Sequence, residues 1–220
     1  NGGSPSISGW TTSACTNMNN MFRDSLFNQD IGSWVNSGVE SMGSMFRDCI
    51  FNNGGSPSIS GWTTSNWDVN SVVTMSNMFN GSTSFNQDIG SWDTSNVEDM
   101  SSTFHISNFN NGGSPSISGW TTSACTNMSS VFKDNNVFNQ PIGSWDVGNV
   151  NTVASMFWGT NSFNQDIGSW DVSNVETFIW TFRQCVFNNG GSPSIDGWTT
   201  SACTTMKEMF LLNNVFNQPI

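Results

Sequence analysis

The stretch FNQDIGSWDTSNVEDMSSTF, residues 85–104, recurs in varied form along the whole chain and indicates how it folds. Eight copies begin with Phe-Asn, at intervals of 24, 34, 24, 29, 25, 24 and 29 residues. Eight tryptophans recur with these copies, and each is followed by an apolar residue after eight positions and by a phenylalanine after twelve. Such self-similarity predicts stacked repeats, because one repeat cannot bury its apolar residues alone. We expect residues 1–220 to form a single continuous array that starts and ends in mid-repeat, as a fragment of a longer solenoid.

The composition supports a packed core and excludes several partners. There are 17 Phe, 11 Trp and 11 Met but no Tyr, and the net charge is -11. An acidic surface repels phosphate backbones, so we expect no nucleic-acid partner. No run of 18 apolar residues occurs, so we expect no membrane insertion within this segment.

The longer repeats carry a Gly-Gly-Ser-Pro insertion between the Asn and the Ile, as at residues 54–57. Glycine and proline favour turns, so the insertion should bulge outward as a small loop. The repeat that contains both Trp62 and Trp67 is irregular, with five further residues.

Each repeat is predicted to contain one extended segment and one short helical segment. Phe85 and Ile89 share a parity, which is typical of a strand. Val97, Met100 and Phe104 are spaced for one face of about two helical turns. The predicted fold is a repeat solenoid, with one short parallel β-strand and one short α or 3-10 turn in each of about eight repeats of 24–34 residues.

The pattern resembles the BspA-like leucine-rich repeat of bacterial surface lipoproteins, here in a variant rich in Phe, Trp and Met. The family pattern L-x-x-I-x-I-P-x-x-V-x-x-I-x-x-x-A-F-x-x-C-x-x-L lies over Phe163-Asn-Gln-Asp-Ile167-Gly-Ser-Trp170 through Val175, Phe178, Phe182, Cys185 and Phe187. The resemblance implies a leucine-rich-repeat solenoid with an extracellular or surface-attached role in adhesion and protein binding.

The asparagines that follow the repeated phenylalanines should form a column. We expect their amides to bond backbone groups of neighbouring repeats as a structural ladder, rather than to bind a ligand. The column comprises Asn28, Asn52, Asn86, Asn110, Asn139, Asn164, Asn188 and Asn217.

The aligned carboxylates give no evidence for an enzyme. Asp88, Asp93, Asp166 and Asp171 are candidates for loose Ca²⁺ binding through their oxygens. No Asp-x-Asp-x-Asp-Gly run is present, however, and identical positions in a repeat do not make one catalytic constellation. We therefore expect solvated acidic faces, no catalysis and no other cofactor or metal.

The five cysteines and the single histidine have a structural interpretation. The cysteines occupy core positions of the repeat, which favours buried thiols over disulfides. Cys185 and Cys203 lie in adjacent repeats and are the one pair that we single out for a disulfide. His105 takes a position where other repeats have Arg or Lys, so we expect a surface residue.

Three successive repeats place large apolar residues at positions that are polar or small elsewhere. We predict from them a patch for partner binding or lateral assembly. It comprises Trp158, Ile179, Trp180, Leu211 and Leu212.

Three functions remain open at this point. The first is a structural and adhesive protein, a rigid spacer on a cell or virion surface that binds a protein or a glycan. The second is a filament or appendage subunit that assembles with itself. Ice binding is the third, but its candidate threonines occur only in the long repeats, at Thr11, Thr63, Thr121 and Thr199.

Overall fold

The computed structural model of the chain describes residues 6–55, 69–113, 116–192 and 194–220. Trp62 and Trp67 of the irregular repeat and Thr63 lie outside the described residues, as does the proline of each Gly-Gly-Ser-Pro insertion.

Parallel bridges join each repeat to the next. Each bridge uses one residue per repeat, seven positions after the tryptophan, and the bridged residues are 24 to 33 positions apart in sequence. Repeats of different length therefore stack in the same register. The bridges form one column through Asn17, Ser41, Thr74, Asp99, Asn127, Thr152, Thr177 and Thr205.

Local structure within a repeat differs from the prediction at two points. The described residues form isolated bridges of one residue each and contain no strand of greater length. In the repeat of Trp92 the bridge lies at Asp99, whereas the strand was predicted between Phe85 and Ile89. Residues 97–104, predicted as helix, consist of the bridge and a series of turns. The N–H groups of Met100, Ser102 and Phe104 donate to carbonyls of the next repeat at 3.1, 2.9 and 2.9 Å. Amides used in this way cannot donate to the carbonyl four residues earlier, as a helix requires.

In each repeat the residues ten and fourteen positions after the tryptophan have left-handed backbone. Ser102 has φ 54° and Ile106 has φ 50° in one repeat, and Ser155 has φ 57° and Gly159 has φ 74° in another. The N–H of Thr103 donates to the carbonyl of Met100, so Ser102 is the third residue of a four-residue turn. Positive φ at that place is typical of type II turns. These turns allow every second amide to point along the stack.

Two columns of phenylalanine rings fill the core. In the column twelve residues after the tryptophan, neighbouring ring centroids are 5.5–6.0 Å apart. In the column of the Phe-Asn phenylalanines, the ring centroids of six neighbouring pairs are 5.9–6.3 Å apart. The two rings of one repeat stack at 3.6–4.1 Å. We call the column twelve residues after the tryptophan the first Phe column, and the column of the Phe-Asn phenylalanines the second Phe column. The first comprises Phe22, Phe46, Phe79, Phe104, Phe132, Phe157, Phe182 and Phe210, and the second Phe27, Phe51, Phe85, Phe109, Phe138, Phe163, Phe187 and Phe216.

Tryptophans tie neighbouring repeats together at the side of this core. The indole N–H of Trp145 donates to the carbonyl of Ile117 at 3.1 Å, and that of Trp170 donates to Ile142 at 3.0 Å. Both side chains are nearly fully buried, so each bond satisfies a donor that has left water. This hydrogen bond explains why the position is occupied by a tryptophan and not by a purely apolar residue.

The Phe-Asn asparagines link the repeats through their side chains. The Oδ1 of Asn164 accepts from the N–H groups of Asn188 and Gly190 at 2.7 and 3.0 Å. The Oδ1 of Asn139 accepts from the N–H of Asn164 at 3.0 Å and from the side-chain amide of Gln165 at 2.9 Å. Each amide oxygen thus holds the start of the following repeat.

The described helices are three short 3-10 helices, Asn53–Gly55, Asn111–Gly113 and Asn189–Gly191. They lie where the long repeats begin their insertions. Their central glycines have φ of 62–66°, and a Cβ on Gly190 would lie 3.0 Å from the backbone nitrogen of Asp166. Among the described residues no helix is long and apolar enough to cross a bilayer.

Asn164→Ala should lower the free energy of unfolding by about 1–2 kcal/mol, because two backbone N–H groups lose their acceptor. Urea denaturation followed by tryptophan fluorescence measures the change. Asn161→Ala is the matched control, since its amide bonds only the exposed side chain of Asn136, and it should change stability by less than about 0.5 kcal/mol. Equal effects of the two substitutions would contradict the role of the asparagine column.

Candidate functional site

The four aspartates considered for Ca²⁺ each accept a hydrogen bond from a backbone N–H two residues later. Asp88 accepts from Gly90 at 2.9 Å, and Asp93 accepts from Ser95 at 3.0 Å.

Asp171 accepts from Ser173 at 3.0 Å, and Asp166 accepts from Gly168 at 2.9 Å and from the Ser192 hydroxyl at 2.6 Å. The bond from Ser192 lowers the pKa of Asp166, and bonds from Ser173 lower the pKa of Asp171. These carboxylates serve as turn caps.

The described residues contain no group of three or more His, Cys, Asp or Glu that could hold a metal ion. Ca²⁺ binding by the four aspartates stays a prediction.

The five cysteines are free thiols in the structure. Cys49, Cys125 and Cys185 are buried, Cys203 is half-buried and Cys15 is exposed. Burial raises the pKa of Cys125 and of Cys185 to about 12. The Cys185 thiol donates to the carbonyl of Phe182 at 3.1 Å and forms no bond to Cys203. Cys49, Cys125 and Cys185 thus pack as small core residues, whereas the expectation of a buried thiol is wrong for Cys15, which lies exposed in the first repeat.

His105 is less exposed than its position suggested, with 18% of its side chain accessible. Its Nε2 lies 3.6 Å from the carboxylate of Asp134 in the next repeat. Burial and the Lys133 ammonium lower the pKa of His105, and the Asp134 carboxylate opposes them. The imidazole is therefore a mainly neutral, packed group near neutral pH.

Trp158 and Trp180 of the predicted patch meet on the surface. Their ring centroids are 5.2 Å apart at an interplanar angle of 53°. The Lys133 ammonium lies 4.1 Å and the Arg183 guanidinium 5.1 Å from the Trp158 ring centroid, and Arg183 also lies 5.8 Å from the Trp180 ring. Cation–π contacts of this kind contribute about 0.5–1 kcal/mol at exposed sites. The two tryptophans are consequently half-buried rather than fully exposed.

Polar groups fix the orientation of both indoles. The Trp158 N–H donates to Gln184 at 2.9 Å, and the Trp180 N–H donates to Glu208 at 3.0 Å. Glu208 also pairs with Arg183 at 2.5 Å. We call the six residues of this arrangement the Trp–Arg cluster: Lys133, Trp158, Trp180, Arg183, Gln184 and Glu208.

The remaining patch residues lie beside the Trp–Arg cluster. Leu211 and Leu212 are 41% and 55% exposed, and the N–H of Gln184 donates to the carbonyl of Leu211 at 2.9 Å. Ile179 is half-buried. The predicted patch is thus a mixed surface, in which the tryptophans contact cations and the leucines are open to solvent.

Trp180 and Leu212 have left-handed backbone, with φ of 57° and 61°. Most other repeats have Asn, Asp, Ser or Gly at these two positions. Bulky side chains in this conformation cost about 1–3 kcal/mol, and observed strain of this kind is associated with functional sites. The core does not explain either residue, since neither belongs to the buried core cluster or packs against it.

Sequence reasoning missed the polar members of the Trp–Arg cluster. Lys133, Trp158 and Arg183 share the position thirteen residues after the tryptophan, in three successive repeats. Stacking repeats in register brings such residues together, so this column was the available signal.

Comparison with protein families gives one match, to the family described as Mycoplasma protein of unknown function, DUF285. The match comprises residues 4–66, 58–114, 106–194 and 182–220. The chain belongs to this family. Four overlapping matches along one chain confirm that it is built from repeats, while the family's description assigns no function. Neither the comparison with curated proteins nor that with solved structures gives a match.

Cysteine alkylation should reflect burial. At about pH 8 only roughly one in 10⁴ of the Cys125 or Cys185 side chains is thiolate, so iodoacetamide should modify exposed Cys15 at least a hundredfold faster. Mass spectrometry of chymotryptic peptides over time measures the rates, because Phe or Trp residues separate all five cysteines, and unfolding in guanidinium should equalise them. Comparable rates in the folded chain would contradict the buried placement.

Proposed function

We propose that this chain is an extracellular or particle-surface structural and adhesive protein, a rigid spacer that carries a binding surface for a protein or a glycan. As its finer fold class we propose a leucine-rich-repeat solenoid of the BspA-like type. The observation that carries the proposal is the column of parallel bridges, which keeps one register through repeats of unequal length.

Rigidity is supported by the number of contacts that each repeat makes with the next. At the boundary between the repeats of Trp145 and Trp170, a bridge, two pairs of phenylalanine rings, an indole N–H and an asparagine amide all join one repeat to the next. In stacks of this kind each repeat interacts with its neighbours alone, so length grows by adding repeats without altering the rest. A spacer needs this property.

The binding role is supported by the Trp–Arg cluster with Leu211 and Leu212. Tryptophan and arginine are enriched among the residues that dominate binding energy at protein interfaces. The polar contacts hold both indoles in place before any partner arrives, which lowers the entropic cost of binding. We propose that this surface acts by contact and without catalysis.

Electron microscopy of the intact source, with an antibody against the repeat, tests the location. We expect label along fibres, spikes or the outer surface of the cell or particle. Label confined to the interior would overturn the extracellular role.

Substitution of Trp158→Ser together with Trp180→Ser should reduce adhesion at least tenfold. Beads coated with the 220-residue chain would be bound to cells of the source, and retained beads counted under flow. Asn151→Ser is the matched control, because Asn151 is exposed on a different column, and it should leave adhesion unchanged. Undiminished adhesion of the tryptophan variant would place the binding surface elsewhere.

A further inference from the structure

One corner of each repeat, between the first and the second Phe column, has an unusual composition. It begins thirteen residues after the tryptophan and ends at the residue before Phe-Asn. We call it the corner strip. It consists of residues 23–26, 47–50, 80–84, 105–108, 133–137, 158–162, 183–186 and 211–215.

Exposed apolar side chains are concentrated on the corner strip. Among the described residues, thirteen large apolar side chains are exposed, and eight of them belong to the strip. Of the other five, Trp10, Met21 and Met206 belong to core columns of the first and last repeats, and Ile220 is the last residue. Val73 is the remaining one. The eight are Leu26, Ile50, Ile106, Val137, Val186, Leu211, Leu212 and Val215.

Charge is segregated in the same way. The strip holds four of the chain's five Lys and Arg residues, Arg23, Arg47, Lys133 and Arg183, but only three of its 16 Asp and Glu. Three of these cations have an acid within 4.0 Å on the strip itself, as in Arg47 with Asp48 at 3.2 Å. The rest of the sequence contains thirteen Asp and Glu residues and only one lysine.

Two apolar residues on the strip occupy strained backbone. Ile106 and Leu212 have φ of 50° and 61°, at the position where other repeats have Asp48, Gly81 or Gly159. A β-branched residue in this region is a genuine outlier. Since both side chains are about half exposed, core packing does not explain why they are apolar.

We propose that the corner strip is a self-association interface, through which two copies of this chain pack side by side, strip against strip. The proposal rests on the proposed function, in which the chain is a structural protein, and names its partner as a second copy. Copies that met through other surfaces would bring carboxylates together and repel each other. The strip is nearly neutral, carries both signs of charge and displays the apolar area.

The geometry suits such an interface. Stacked parallel repeats are about 4.8 Å apart, so the described strip is about 35 Å long, and each repeat adds a small contribution to it. When a two-fold axis relates the two copies, the corner strip of one contacts the corner strip of the other. Adjacent Arg–Asp pairs on one copy can then face those on the other. Acidic surfaces then point away from the contact into solvent.

Sedimentation velocity of the purified 220-residue chain tests the proposal, over concentrations up to about 100 µM. We expect a concentration-dependent dimer for the unmodified chain. Ile106→Asn with Leu212→Asn should weaken dimerisation at least tenfold. Asparagine tolerates left-handed backbone, so the variant should unfold at the same or a higher temperature. Weaker dimerisation of this variant would then result from the loss of contacts between copies and not from unfolding.

Val73→Ser is the matched control, because Val73 is an exposed apolar residue outside the strip, and it should dimerise like the unmodified chain. A chain that stays monomeric throughout, or one whose dimer survives in the asparagine variant, overturns the proposal. Microscopy of the source is independent of this result. A monomeric chain on a cell surface would leave the spacer function standing, and a dimer from the cell interior would leave the interface standing.

Discussion

The stack depends on the backbone hydrogen bonds that each repeat donates to its neighbour from every second residue after the bridge. In one repeat these donors are Met128, Ser130, Phe132 and Asp134, which bond carbonyls of the following repeat at 2.7–3.0 Å. Because these bonds do not involve the inserted residues, repeats of unequal length can share one register. The two Phe columns then bury apolar area that no single repeat could bury alone.

This constraint also fixes which residues can stand at the surface of the turn. The positions ten and fourteen residues after the tryptophan are mostly Asn, Asp, Ser or Gly, of which Gly, Asn and Asp accept positive φ most readily. At Gly159 a Cβ would also require the carboxylate of Asp134 to shift. Where Trp180, Ile106 or Leu212 breaks the preference, the surface gains an apolar group that the stack itself does not need. The proposed contact surfaces and the strained positions therefore coincide.

The buried columns could be predicted from the sequence because fixed spacing from each tryptophan identifies them. The structure buries Met100, Phe104 and Phe109 as that spacing implies. Helical turns could not be distinguished from this fold, because apolar residues three and four positions apart satisfy both. The decisive evidence was Ser102 and its counterparts, where small polar residues mark left-handed backbone rather than a solvent-facing helix.

For the surface, the sequence indicated which residues are unusual but not what they contact. Trp158 and Trp180 stood out, whereas their contacts with Lys133 and Arg183 depend on register between repeats. The corner strip was visible in part, because the residue before Phe-Asn is apolar in five of eight repeats. Its exposure, however, depends on the turn that separates the two Phe columns.

Distances between spin labels along one exposed column test the central claim of a common register most directly. Labels introduced as non-canonical residues at Glu40 and, in turn, at Asn151, Glu176 and Thr204 would span four, five and six repeats on a column that is exposed throughout. With about 4.8 Å per repeat, pulsed electron spin resonance should give separations of about 19, 24 and 29 Å. Equal steps of this size would support one register through repeats of unequal length. Unequal steps, or steps that scale with the number of intervening residues, would contradict it.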